Sequence, residues 1–266
     1  MAFDKQKLIK RLKRTGILLF WSSLLVMLFV SLSFVNKQVD QLTCKQVLVD
    51  IDYQTSDPLL NRSMVLKIAT GNEHDTLLLN KQISLLDLQS IEQRLLTSVW
   101  VKTAQVFTDL NGKLYIHVTQ RTPILRVINI QNEHFYVDSE GLKMPLSQLY
   151  SAHVPIASGY ITETLQAGDT IQTHVMKGLL KIATYVDKDA FWKAQIEQIF
   201  VNEEAEFVLS PKLGNHIIYF GDTQNMAKKF DKLHVFYREA LSRIGWSKYR
   251  TIDVRFENQI VAKKKP

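Results

Sequence analysis

The chain has 266 residues, 46% of them apolar and 22% charged, with a formal charge of +7 and a pI near 9.3. Much of the positive charge stands at the two ends, in Lys5, Lys7, Lys10, Arg11, Lys13 and Arg14 and again in Lys263, Lys264 and Lys265. The body between them is close to neutral, which removes the main support for nucleic-acid binding; a single cysteine, Cys44, excludes an intramolecular disulfide.

In chain order the first feature is a run of nineteen uncharged residues from Gly16 to Phe34. At about 1.5 Å per helical residue it reaches roughly 28 Å, close to the roughly 30 Å hydrocarbon thickness of a bilayer. This predicts one transmembrane helix in contact with lipid. The basic flank on its N-terminal side keeps that end in the cytoplasm and places everything after the span on the far side. A cleaved signal peptide has a shorter apolar core, about 7–15 residues, and a buried core helix would carry a polar stripe, for which Ser22, Ser23, Ser31 and Ser33 are too few.

From Gln46 apolar and polar residues alternate, with Val47, Val49, Ile51 and Tyr53 on one side, which predicts a half-buried strand ended by Asp57 and Pro58. A short helix is expected around Met64 to Ala69, stopped by Gly71. A second helix is expected after Ser84, with Asp87 capping back and Leu85, Leu88, Ile91 and Leu95 on one face. A β-rich run from Ser98, a turn at Asn111 and Gly112, and the alternating stretch Leu114 to Val118 complete a β-α-α-β-β unit, closed by Arg121, Thr122 and Pro123.

Beyond Ile124 short strands follow one another, with a turn at Asp138 to Gly141 and irregular chain from Lys143 to Pro155. Met176, Leu179, Leu180, Ala183 and Val186 give a helix face, and three strands follow up to Gly221. The clearest amphipathic helix, capped by Asp222 or Thr223, carries Met226, Phe230, Leu233, Tyr237, Ala240, Leu241 and Ile244 on one face and stops at Gly245. The chain closes on one regular strand from Thr251 to Ala262, and such a strand near a sheet edge is either protected or used to recruit another. The fold class is therefore α+β: a transmembrane helix, a β-α-α-β-β domain, and a mixed, mainly antiparallel β domain with a late helix and a terminal strand.

Nothing in the spacing points to catalysis. The seven histidines are never closer than seventeen positions, so no local metal pair exists, and neither a nucleophile elbow nor a phosphate cradle is present. Glu203, Glu204 and Glu206 read as a solvated turn, and Trp100, Trp192 and Trp246 as core or half-core residues. No catalytic, cofactor or metal residue is expected, and the pattern favours a binding or scaffolding protein.

The order of these pieces resembles the FtsQ/DivIB family of bitopic bacterial cell-division proteins, and the first outer domain resembles a POTRA domain. The resemblance rests on Ile91 and Glu92 with Ser98-Val99-Trp100-Val101, Ala104 and Val106; on Leu114 to Val118 followed by Arg121-Thr122-Pro123-Ile124; on Val137-Asp138-Ser139-Glu140-Gly141; on Val154-Pro155 to Gly159; on Leu209 to Gly221; on Phe230 and Leu233; and on Ile252-Asp253-Val254-Arg255-Phe256. Thr97-Ser98 departs from the family, which usually has a proline before the aromatic residue. The resemblance implies a cytoplasmic head over 1–15, a span over 16–35, a linker over 36–44, a POTRA domain over 45–122, a β domain over 123–262 and a basic tail over 263–266. It further implies a non-enzymatic scaffold of the division site in the inner membrane, without cofactors. Its partners would be FtsB-like and FtsL-like proteins and other components of FtsK, FtsW and FtsI type. Strand addition would fall on Ile252, Val254, Arg255, Phe256, Glu257, Asn258 and Ile260, so a proline inside Ile252 to Phe256 is expected to abolish partner binding and spare the fold. An export or outer-membrane assembly factor and an extracytoplasmic hydrolase with a dispersed site are the alternatives.

Overall fold

A computed structural model describes residues 16, 18–31, 42–54, 58–71 and 74–266. The expected cytoplasmic head, most of the linker and the strand-breaking Asp57 lie outside the described residues. Residues 18–31 are helical, and their large apolar side chains leave between 48% and 70% of their surface open. Among the described residues no helix is long and apolar enough to cross a membrane; Ile17 and residues 32–34 of the expected span, including Phe34, are not among them.

The first domain opens with β1 (Gln46–Asp52), whose alternation buries Val47 and leaves Asp50 outside. Helix α1 (Arg62–Thr70) begins earlier than its apolar pattern suggests because Asn61 caps it, accepting from the Met64 amide, and Gly71 ends it at φ 80°. The second helix, α2 (Leu88–Leu96), starts later than expected. Asp87 is its N-cap, accepting from Ser90 N, whereas Ile83–Leu85 form a separate 3₁₀ turn that leaves Leu85 75% exposed. Strands β2 (Val101–Thr108) and β3 (Lys113–Gln120) form the hairpin, and the sheet order is β1-β3-β2 with β1 parallel to β3. Both helices cover one face, where Val47, Leu66, Ile91, Leu95, Leu114, Ile116 and Val118 make the core.

The second domain is built on a sheet of nine strands among the described residues. In chain order these are β4 (Pro123–Ile128), β5 (His134–Asp138), β6 (Lys143–Met144), β7 (Ile156–Gly159), β8 (Ile196–Val201), β9 (Phe207–Pro211), β10 (Ile217–Gly221), β11 (Tyr249–Asp253) and β12 (Val261–Lys264). Across the sheet they run β12-β11-β10-β9-β8-β7-β4-β5-β6. The pairs β4/β7, β7/β8 and β10/β11 are parallel and the rest antiparallel. Strand β7, which follows directly on the stretch expected to be irregular and is not among the expected strands, is the inner rail that joins the two halves.

Parallel neighbours require crossovers; β5, β6 and irregular chain supply the one between β4 and β7, and helices supply the other two. Helices α3 (His174–Lys188) and α4 (Ala190–Gln195) link β7 to β8, and α5 (Met226–Phe236) links β10 to β11. Thr173 caps α3 through the Met176 amide, and Gly178 allows the Phe207 ring to lie where a Cβ would meet it at 2.5 Å. Glu163 fixes the approach to α3 by accepting from Gln172 N and Thr173 N, with Lys143 Nζ 3.4 Å away. Burial would raise the Glu163 pKa, but these hydrogen bonds outweigh it and hold the group below its ordinary value. Asn225, in a left-handed conformation and without a side-chain capping hydrogen bond, holds the N-cap position of α5 in place of Asp222 or Thr223; Asp222 instead binds the buried Lys229 at 2.8 Å. After α5 the chain passes through a π turn at Tyr237–Leu241 and a last helical turn, α6 (Ser242–Ile244), before Gly245.

The two domains meet through specific contacts. On the first domain's side, Gln120, buried at the end of β3, closes the joint from within by accepting from Leu59 N at 2.7 Å and Leu60 N at 2.9 Å. One residue later Arg121 Nη1 donates to Asp138 Oδ2 at 2.7 Å and Glu140 Oε2 at 2.9 Å, and Lys102 joins Glu140 at 3.1 Å. Val99 and Trp100 pack on Tyr136, Met144 and Ala152 of the second domain. Since the Asp138 side chain is only 5% exposed, removing its cation strands a buried carboxylate. Arg121→Ala is expected to destabilise the protein by about 3 kcal/mol, measured as a lowered denaturant midpoint, with partial recovery in Arg121→Lys, which keeps the charge on a shorter side chain.

Candidate partner-docking edge

The chain from Thr251 to Ala262 is not one strand. Strand β11 ends at Asp253, residues 254–260 turn, and β12 returns antiparallel with Ile252 opposite Ala262 and Asp253 opposite Val261. Strand β11 is therefore interior, held by β10 on one side and β12 on the other. The polar run Glu257-Asn258-Gln259 is the turn signal inside the apparent alternation. The unpaired edge belongs to β12.

This corrects the placement of the expected docking residues. Ile252 and Val254 are fully buried and face the core beneath α5. A proline inside 252–256 would break an interior strand or its exit, and so would damage the sheet itself. Phe256, 46% exposed, Glu257 and Asn258 lie on the turn, and Ile260 is half-buried at its end. The edge residues are Val261, 47% exposed, Ala262, Lys263 and Lys264. Sequence reasoning missed Val261, Lys263 and Lys264 because it continued β11 through the turn.

The turn is held open in a defined shape. Lys232 of α5 donates through Nζ to the carbonyls of Val254, Phe256 and Glu257. Burial lowers the Lys232 pKa, and the neighbouring Lys229 charge acts in the same direction. Arg255 bridges Asp253 at 2.7 Å and Glu206 at 3.0 Å and lies over the Tyr219 ring at 5.4 Å. Burial would raise the Asp253 pKa, but the hydrogen bonds from Arg255 prevail and keep it low. Glu206 of the acidic turn thus has a structural partner.

Beside β12, between α5 and the turn, runs a groove of about 550 Å³. Val235, Phe236, Ala240 and Ile260 supply its apolar lining, with Asp231, Lys232 and Glu239 at the rim. Behind the edge lies a polar pair within the core: His216 Nε2 and Tyr237 Oη are 2.7 Å apart, while among the described residues His216 Nδ1 has no partner in good hydrogen-bond geometry, only the nearby Gly214 backbone. Burial pushes the imidazole below its ordinary value and the Lys265 charge adds to this, though the Gly214 backbone works the other way. Burial also pushes the Tyr237 phenol well up. These groups sit in a packed aromatic cluster with Trp192, Trp246 and Phe191, and among the described residues no group of His, Cys, Asp and Glu is placed to hold a metal.

A depressed histidine pKa means that the unfolded chain takes up a proton first as pH falls. Stability is therefore complete above about pH 6.5 and is lost below it, down to the folded value, by up to about 1.4 kcal/mol per pH unit. Thermal unfolding across this window is expected to show a steeper loss in the parent chain than in His216→Gln, which cannot gain that charge.

The architecture defines a class: a POTRA-like module followed by a larger α+β domain that ends in a free strand edge. Residues 42–119 match the POTRA-like domain family, and residues 122–263 match the family described as FtsQ/DivIB, C-terminal related. The chain is 26% identical over 182 residues to the cell division protein FtsQ of Salinibacter ruber, covering 66% of this chain and 69% of that protein. It is 25% identical over 182 residues to the cell division protein FtsQ of Rhodothermus marinus, covering 67% and 66% respectively. The chain belongs to the FtsQ/DivIB family.

Proposed function

We propose that this chain is a non-enzymatic scaffold of the division machinery that takes up an extended segment of a partner along β12. Membership of the FtsQ/DivIB family supports the division role. The observation that carries the docking mode is the edge position of β12, which among the described residues pairs with β11 alone and adjoins the apolar groove. An added strand gains affinity from main-chain hydrogen bonds, and the groove receives a side chain that specifies the partner. Lys263 and Lys264 discourage indiscriminate edge pairing and favour a partner segment carrying acidic residues.

The partners on this reading are FtsB-like and FtsL-like proteins, with FtsK, FtsW and FtsI types as further members of the assembly. The apolar residues from Gly16 to Phe34 would anchor the chain in the inner membrane, with the basic head in the cytoplasm and both folded domains outside, and this agrees with the exposed apolar helix over 18–31.

Successive residues of a strand direct their amides to opposite sides, so one of Ala262 and Lys263 presents its N–H outward. Of the variants Ala262→Pro and Lys263→Pro, one is expected to lose co-purification with an FtsB-like chain while retaining the parent unfolding profile. Undiminished co-purification of both would remove β12 as the docking edge. A fluorescent fusion at the N-terminus is expected at the division site, and a uniform envelope signal at native expression would contradict the division role.

A further inference from the structure

The open face of the first domain carries an apolar patch at one end only. Strand register sets Leu48 beside Tyr115 and Tyr115 beside Phe107, and the two rings stack with centroids 5.1 Å apart and planes within 9°. Phe107 is 49% exposed and Leu110, at the hairpin tip, 79%. The next rank on the same face is polar, with Asp50, His117 and Gln105 in register. On this face the exposed apolar surface is thus confined to the end that holds the β2–β3 turn.

That end is also where the chain arrives from its N-terminal apolar segment. Lys45 N donates to Gly112 O at 2.8 Å, and a Cβ on Gly112 would lie 2.5 Å from Thr43 O, so the turn is seated directly on the incoming backbone. The turn is rigid: Asp109 Oδ1 accepts from Asn111 N at 2.9 Å and Lys113 N at 2.8 Å. Nine peptide steps separate Phe34 from Thr43, a reach of about 30 Å at most. Strand β3 then leads away from the tip, rising about 25 Å to the joint with the second domain. The tip is the proximal end of the domain and the joint the distal end.

We infer that the β2–β3 tip rests on the phospholipid surface from which the chain emerges, with Leu110, Phe107, Tyr115 and Leu48 at the headgroup boundary. The inference depends on the membrane anchor proposed above. A stacked aromatic pair with an exposed leucine suits the bilayer interface, where one side of each ring is wet and the other apolar. Lys45 and Lys113 flank the turn that holds Asp109, which matches an anionic headgroup layer. Such seating fixes the tilt of the first domain relative to the bilayer, a constraint that a linker alone does not supply.

The test uses the full chain in nanodiscs of mixed neutral and anionic phospholipid, with an environment-sensitive label on one introduced cysteine at a time; native Cys44 is fully buried. Positions are Leu110 at the tip, Met27 in the anchor and Glu203 in the second domain, and the quencher is a nitroxide-bearing lipid. Strong quenching at Leu110 and Met27 but not Glu203 is expected, and Phe107→Ser is expected to weaken the Leu110 signal several-fold. Quenching at Met27 with Leu110 at the Glu203 level would overturn the tip contact and leave the anchor standing. No quenching at Met27 would remove the anchor, and the inference with it unless Leu110 is still quenched by lipid. A Leu110 label shielded from a water-soluble quencher in cells yet unquenched by lipid in nanodiscs would assign the patch to a protein and overturn the inference.

Discussion

The passage of the chain from Gln120 to Pro123 sets the relation between everything before it and everything after it. Gln120 and Arg121 are adjacent in sequence yet point their polar groups in different directions. One satisfies the amides of Leu59 and Leu60 inside the first domain, and the other neutralises Asp138 at the start of the turn that opens the second. Asp138 in turn accepts from the amides of Glu140 and Leu142, so a single carboxylate shapes a turn and receives the domain joint. A buried charge of this kind is costly alone and stable only when paired. Both domains must therefore be folded before the joint can form.

The far end of the second sheet follows a different logic. There the problem is to keep an edge strand extended without letting it pair at random. Lys232 gathers three carbonyls of the preceding turn, and Arg255 ties that turn to the β8–β9 connection through Glu206. The strand that results is short and ends in lysines, and its neighbouring groove is apolar only along part of its length. Both features restrict which segments can add to it.

Much of the architecture was legible from periodicity. The alternation of β1 and β3, the Asn111-Gly112 turn and the helix stripes on α3 and α5 each follow from local pattern. The errors have local causes too. Leu85 shares the spacing of the α2 face but precedes the Asp87 cap, so it falls outside the helix. Lys229 looks like a solvated residue until Asp222 and the Phe220 ring enclose its ammonium. Strand β7 is four residues with alanine, serine and glycine, too plain to register as a strand although parallel neighbours bury Ala157 completely. The division of the last strand depended on three polar residues whose weight is visible only once β11 has partners on both sides.

The nine-stranded order also has a geometric consequence. The joint acts on β5 near one end of the sheet, while β12 lies at the other end, seven strand spacings away. At about 4.8 Å per spacing the docking edge stands on the order of 35 Å from the pivot. A rotation of about 5° at Arg121 would then sweep the edge by about 3 Å, more than half of one strand spacing. The sheet is a lever arm, and the stiffness of the joint, its guanidinium–carboxylate bridge together with the packing of Val99 and Trp100, decides how accurately its far tip is aimed.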